Sequence, residues 1–266
     1  MDSTLAPPQS FRIETPTGVA EWRTLEWDSE QLGIPAGRLD LLEVPGSYTD
    51  ACAHKRKLLS LVLDQCREAG IRHLTARVDT ADFTTIHVLE EYGFELVDGI
   101  LSFLLSLNAN GASAPAGTRI FEPRDLPQVL AIGRTAFVFD RFHADPQLSR
   151  AVADRVNESW TRNCCLGIAA DVTVLAEDEE RIASYVTCRA DREARRGTII
   201  LVATAEWARG RGMARRASSA ALHWFAGQGM ESVEVGTQFR NIPAVRLYES
   251  LGFRLFHTGL TFRRIL

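Results

Sequence analysis

The chain has 266 residues, 45% hydrophobic and 24% charged, with 30 basic against 34 acidic side chains and a net charge of −4. That length builds one large domain or two small ones around a real core, and the composition is wrong for a disordered chain. The acidic balance argues against a protein that grips bulk nucleic acid, and the longest apolar runs, such as Ile199 to Ala203, fall far short of the ~20 residues of a membrane span.

The N-terminal MDSTLAPPQS has an early acid, two prolines and no apolar stretch, so no signal peptide is expected. From 58 to 96 the chain reads as helix, glycine stop, strand, helix and Gly-Phe. Asn108 to Gly117 is small, polar and rich in breakers, which marks a linker between a first part, 1–107, and a second, 118–266. The second part opens with helical apolar spacing at 123–137 and at about 146–160. Val172–Ala176 and Ile182–Thr187 flank Glu177-Asp-Glu-Glu180, a hairpin with its charge at a solvated tip. The apolar run Thr198–Thr204 follows, then Arg209-Gly-Arg-Gly-Met-Ala214, which opens a helix to about Phe225 that Gly227 and Gly229 stop. A strand at 232–236, a helix at about 241–251 and a final strand pair complete a mixed α/β (α+β) sheet protein.

Shifting the numbering by 159 superimposes Gly70 on Gly229, Gly93 on Gly252 and Phe94 on Phe253, with the same order of elements and no gap from 58 to 96. The first part thus reads as a copy of the second. It is a degenerate copy, because Asp50, Ala53 and Lys55 stand where the second part has Arg209, Gly212 and Ala214. The five cysteines, at 52, 66, 164, 165 and 188, are odd in number and lack CxxC spacing, which fits a reducing cytoplasm without a disulfide framework. The six histidines form no HExxH or Cys/His cluster, so no metal site is expected.

Two segments carry chemistry. Arg209-Gly-Arg-Gly-Met-Ala214 follows an apolar strand and starts a helix. There the glycines allow close backbone approach, and free N–H groups with the helix dipole favour a pyrophosphate. No Gly-Lys-Ser/Thr follows, so it is not a Walker A loop, and its spacing is not GxGxxG. In Asn241-Ile-Pro-Ala-Val-Arg-Leu-Tyr248-Glu-Ser-Leu-Gly252-Phe253, Asn241 suits an N-cap, and Ala244, Val245, Tyr248 and Leu251 share one helical face. Taken singly, Tyr248 reads as a core tyrosine with a satisfied hydroxyl.

Taken together, the order of strand, R-x-x-G-x-A, helix, strand, Asn, Tyr and Gly-Phe resembles the GNAT acyl-CoA N-acyltransferase superfamily over about 119–266. The resemblance implies that the amides of Arg209, Gly210, Arg211, Gly212, Met213, Ala214 and Arg215 hold the pyrophosphate of acetyl-CoA. Val202, Ala203 and Thr204 would line the pantetheine and acyl carbonyl, Asn241 would touch the pantetheine arm, and Tyr248 would protonate the leaving thiolate.

The first part adds Trp27-Asp-Ser-Glu-Gln-Leu-Gly33, Arg38-Leu39 and Tyr92-Gly-Phe-Glu-Leu-Val-Asp98-Gly99, and the second adds Arg141-Phe-His143-Ala-Asp145. These are similar to the bacterial dTDP-fucosamine acetyltransferases, in which a degenerate half precedes a working GNAT half. The stretch from Val44 to Lys57 is an addition to that pattern. The resemblance puts Asp98 at a strand end near the acceptor. Its flanking Leu96, Val97, Ile100 and Leu101 would make it a usable base, while Asp98-Gly99 also reads as a type I′ hairpin turn. Arg141 and His143 read either as an acceptor-site loop for an anionic nucleotide-sugar or as a solvated helix-to-helix loop. The implied activity is acetyl transfer from acetyl-CoA to a small amine, foremost a dTDP-linked amino sugar, in a cytoplasmic enzyme and possible homodimer without metal, membrane or nucleic acid. An antibiotic or other small-amine N-acetyltransferase and a CoA-binding pseudoenzyme are the alternatives.

Overall fold

A computed structural model describes residues 8–107 and 113–266. The elements in chain order are β1 (Ser10–Thr15), β2 (Gly18–Thr24), α1 (Glu26–Leu32), β3 (Ala36–Glu43), α2 (Tyr48–Glu68), β4 (His73–Asp79), α3 (Phe83–Glu91), β5 (Glu95–Ser106), β6 (Thr118–Ile120), α4 (Leu126–Ala136), α5 (Arg141–Ala144), α6 (Arg150–Cys165), β7 (Val172–Asp178), β8 (Arg181–Asp191), β9 (Arg196–Thr204), α7 (Met213–Gly227), β10 (Ser232–Gln238), α8 (Ile242–Ser250) and β11 (Arg254–Ile265). They form two compact units, Met1–Ile100 with Thr258–Leu266, and Leu101–His257. Residues 258–266, which the sequence reading groups with the second part, pair with β4, Gly259 opposite Asp79 and Ile265 opposite His73. Part of the 108–117 linker, 108–112, lies outside the described residues, as does the start of the N-terminal segment.

In the first unit the strands run β1-β2-β3-β4-β11, with β3 and β4 parallel. The amphipathic α2 buries Ala51, Cys52, Leu58, Leu59, Val62, Leu63 and Cys66, a stripe at helical spacing that closes the core over Trp22, Leu74 and Leu89. In the second unit the strands run β10-β9-β8-β7-β6, with β9 and β10 parallel. All five cysteines are free thiols, and burial pushes Cys164 and Cys165 up to about 11, as expected of inert core thiols.

The repeat is present in three dimensions. β4, α3 and β5 match β10, α8 and β11 with every boundary offset by 159, from His73 and Ser232 to Ser106 and Ile265. Asp82 and Asn241, at matching positions, each cap the helix that follows, accepting from Thr85 N and Ala244 N. Each unit also carries the same irregularity. The β2–β3 register passes from Glu21–Leu41 to Trp22–Leu39, skipping Asp40, and the β8–β9 register passes from Thr187–Leu201 to Cys188–Ile199, skipping Ile200. A bulge of this kind bends its strand and strengthens the local twist. The parallel ladders stop at that point, at Leu39–Ala76 and at Ile199–Val235, although all four strands run on. Each unit therefore holds a pair of splayed parallel strands, and in the first a cavity of about 180 Å³ lies between Leu39–Glu43 and Ala76–Asp79.

The halves differ where the second has its glycine loop. Ser47 caps α2, which begins at Tyr48. Met213, the first residue of α7, corresponds to His54, so α2 starts six positions earlier and runs straight through the region of the loop. This accounts for the added Val44–Lys57 stretch. Lys55 occupies a buried position on the α2 stripe, and its Nζ donates to both Asp82 oxygens (2.9 Å each), Thr84 Oγ1 (2.8 Å) and Thr85 Oγ1 (2.6 Å). Burial pushes the Asp82 carboxyl up, but hydrogen bonds from the Thr85 hydroxyl and amide, Lys55 and Thr84 outweigh it and bring it to about 2.

Its stabilisation is complete above the ordinary carboxylate value of ~3.9 and is lost as pH falls through about 2. Lys55→Met should cost about 2–3 kcal/mol, less than the ~3–5 for a fully enclosed pair because the Asp82 side chain is 35% exposed. The midpoint of urea unfolding at neutral pH checks this.

Three expectations are corrected. The last strand pair is one twelve-residue strand, β11; Gly259 pairs in register within it instead of turning. Asp98 and Gly99 lie inside β5, in neither a hairpin nor a strand end. A type I′ turn needs positive φ at both central residues, and Gly99 is not among the positive-φ glycines. The second early helix of the later part starts at Arg150, where Ser149 caps it, instead of at 146.

Candidate active site

The second unit gathers most of the expected residues. A strand alternates the edge to which it points its backbone groups. Leu201 N–H donates to Thr187 Oγ1 (3.0 Å), Ala203 C=O accepts from Ser184 Oγ (2.7 Å), and Ala205 N–H donates to Ala183 O (2.8 Å), all on β8. The N–H and C=O groups of Val202 and Thr204 therefore point to the other edge, where the ladder with β10 has ended. Of the three strand residues expected to line the acyl arm, Val202 and Thr204 offer backbone groups to the slot, and Ala203 turns its carbonyl away.

A single 3₁₀ turn, Glu206–Ala208, leads from β9 into Arg209-Gly-Arg-Gly. Gly210 (φ +75°) and Gly212 (φ +77°) adopt the left-handed conformation that only glycine enters cheaply. Gly212 is the N-cap of α7 and no side chain caps that helix, whereas Ser47, Asp82, Asp140, Ser149 and Asn241 cap α2, α3, α5, α6 and α8. The first turn of α7 thus presents N–H groups with no partner inside the helix. A Cβ built on either glycine meets nothing within 4 Å, so the space before these amides is open. Met213 is buried and anchors the helix, while Arg209, Arg211 and Arg215 are exposed. These are the elements of an anion site.

The acidic hairpin tip is more than a solvated turn. Glu179 and Glu180 form the two-residue loop with positive φ, but Glu177 holds Arg119 (2.7 Å) and Asp178 holds Arg211 (2.7 Å) beside the glycine loop. Arg181 lies over the ring of Trp207 (4.2 Å), just before it.

Tyr248 is 4% exposed and packs between Phe103 and Phe253, each ring 5.8 Å away, in the cluster that contains Ile199 and Val235, the last pair before the splay. Among the described residues its hydroxyl has no hydrogen-bond partner, and burial alone pushes the phenol above its ordinary value of 10. Tyr185 is the contrasting core tyrosine, fully buried and paired with Thr161 Oγ1 at 2.8 Å. Asn241 spends its side chain locally, accepting from Ala244 N (3.3 Å) and donating to Thr237 Oγ1 (3.1 Å).

The 137–149 segment is not a plain solvated loop. Asp140 caps α5, and His143 places Nδ1 2.7 Å from Asp140 and Nε2 3.0 Å from Asp154. Both ring nitrogens are thus engaged, one with Asp140 within the segment and one with Asp154 on α6, and the Arg141 guanidinium covers the Phe142 ring at 4.4 Å. Arg240, which sequence reasoning did not single out, donates to Phe139 O (3.3 Å) and ties this segment to the end of β10. Asp98 belongs to the other unit, 2% exposed, with Oδ1 accepting from Gly99 N (2.8 Å).

Residues 137–253 match the acetyltransferase (GNAT) family, and this part of the chain is a GNAT acetyltransferase domain. The spore coat polysaccharide biosynthesis protein SpsD of Bacillus subtilis is 31% identical over 133 residues, 50% of this chain and 45% of that one. A dTDP-fucosamine acetyltransferase of Escherichia coli is 26% identical over 185 residues, 69% of this chain and 78% of that one. A tandem GNAT protein from the clavulanic acid biosynthesis pathway has a similar fold, with a TM-score of 0.58 at 14% identity over 97% of this chain and 83% of that one. The fold is therefore a GNAT fold preceded by a smaller, degenerate GNAT-like half. The SpsD match spans under half of that protein's length. Among the described residues no helix is long and apolar enough to cross a membrane.

Proposed function

We propose that the protein is an N-acetyltransferase that moves an acetyl group from acetyl-CoA to the amine of a small molecule by direct attack on the thioester. The observation that carries this reading is one continuous run of chain. The free edge of β9 at Val202–Thr204 passes within a few residues into a glycine loop and a helix whose first turn no side chain caps. The site fits the co-substrate: the amides at 210–215 suit a pyrophosphate, with Arg209 and Arg215 adding exposed charge, while Asp178 already holds Arg211. The Val202 N–H then stands as the donor for the carbonyl oxygen as it gains charge during attack. Tyr248, kept protonated by burial, is the acid for the departing thiolate.

The acceptor we favour is a nucleotide-linked amino sugar. The named functions of the sugar and polysaccharide relatives support this, as does the 137–145 segment tied down by Arg240. A cytoplasmic homodimer is part of the same reading. The test is thiol release from acetyl-CoA with dTDP-amino sugars compared with simple amines and aminoglycosides. Preference for simple amines or aminoglycosides would move the assignment to small-amine acetylation, and release with none would favour a CoA-binding pseudoenzyme. Calorimetry should find one acetyl-CoA per chain, because in the first half α2 runs through the loop region and Lys55 bonds to Asp82. Two equivalent molecules per chain would refute that.

A further inference from the structure

The splayed half of β9 is held by two hydroxyls of β8 that nothing so far assigns. Thr187 and Ser184 are both fully buried, in a sheet interior where polar side chains are costly unless bonded. Thr187 Oγ1 accepts from Leu201 N (3.0 Å), the first amide after the bulged Ile200. Ser184 Oγ donates to Ala203 O (2.7 Å) and lies 3.0 Å from Thr204 Oγ1. Both bonds fall on the stretch of β9 that has left β10, and both lie on the edge away from the slot.

The first half provides an internal control. It has the same bulge, at Asp40, and the same early end to its parallel ladder. There the register puts Glu21 opposite Leu41, where the second half has Thr187 opposite Leu201, and Gly18, three residues before Glu21, stands where Ser184 would be, three residues before Thr187. Glu21 sends its carboxylate to Arg12 instead. So the bulge forms without the hydroxyls, and they are found in the half that has the glycine loop.

We infer that Thr187 and Ser184 are positioning residues that pin the splayed stretch of β9 to β8 and thereby fix the Val202 amide for the acyl carbonyl. Without the Thr187 hydroxyl the Leu201 N–H loses its side-chain acceptor next to the bulge, and this stretch of β9 is free to shift. Binding an acyl arm must then restore the position of that stretch, and the affinity falls by that cost. The phosphate loop begins five residues beyond Thr204 and does not depend on the pin.

This inference rests on the acetyl-CoA reading, and its test separates the two. Acetyl-CoA and adenosine 3′,5′-bisphosphate, a fragment without pantetheine, are titrated calorimetrically into wild type, Thr187→Val, Thr187→Ser and Ser184→Ala. Thr187→Val should weaken acetyl-CoA by about tenfold, as expected for the loss of one buried hydrogen bond, and leave the fragment within twofold. Thr187→Ser should restore wild-type affinity, and Ser184→Ala should repeat the split if Thr187→Val does not fold. Unchanged acetyl-CoA affinity in Thr187→Val, or an equal loss for both ligands, would overturn the positioning role. A wild-type protein that binds neither ligand would instead overturn the acetyl-CoA reading.

Discussion

Gly212→Asp should abolish acetyl-CoA binding in a protein that still folds. Gly212 has φ +77°, where a residue with a side chain pays about 1–2 kcal/mol. That loss is small enough for a domain of this size to survive. The larger effect is local. The new side chain would point into the open space before the first turn of α7, and its carboxylate would compete with the pyrophosphate for the N–H groups that no side chain now caps. Gly229 is the matched control, with φ +76° and open space around its Cα, but beyond the other end of the same helix. Gly229→Asp should lose similar stability and bind acetyl-CoA as wild type does. Calorimetric titration with thermal unfolding of both variants decides the matter. Unchanged affinity in folded Gly212→Asp, or equal losses in both, would remove the loop from the cofactor site.

The parts of this site that could be read from sequence are those set by local rules. Glycine spacing before a helix, Asn at an N-cap and the 159-residue offset depend on neighbours in the chain, and the structure reproduces the offset at every boundary from His73 to Ser106. The features that depend on register were not readable. The bulge at Ile200 lies within an unbroken apolar run, and only its pairing with Thr187 and Cys188 reveals it. Asp98-Gly99 carries the letters of a tight turn, yet β5 continues through it, because apolar residues on both sides extend the strand. Glu177 and Asp178 look like a solvated tip until Arg119 and Arg211, 58 and 33 residues away in the chain, come to meet them. Lys55 breaks an otherwise apolar helical stripe, a signal that a buried partner was needed. That partner is Asp82, the counterpart of Asn241, 27 residues away in the chain.

Tyr248→Phe should leave stability unchanged and lower kcat by roughly 10²–10⁴, the usual span of a general acid's contribution. The two halves of that expectation come from separate observations. Phenylalanine keeps the packing against Phe103 and Phe253, and the hydroxyl it lacks had no hydrogen-bond partner to lose. Tyr185→Phe, which breaks a real bond to Thr161, should by comparison cost about 1 kcal/mol. Acetyl-CoA affinity should hold in Tyr248→Phe, since the hydroxyl is called on only when the thiolate leaves. Because burial raises the phenol above its ordinary value, the proton stays on through neutral pH, and ionisation of Tyr248 should not limit activity below about pH 10. The leaving group provides the sharper test. A thioester of a more acidic thiol needs less help from a proton, so the mutant's deficit should shrink with such a substrate. An equal deficit with both thioesters, or a kcat within a few-fold of wild type when product release is not limiting, would return Tyr248 to the core.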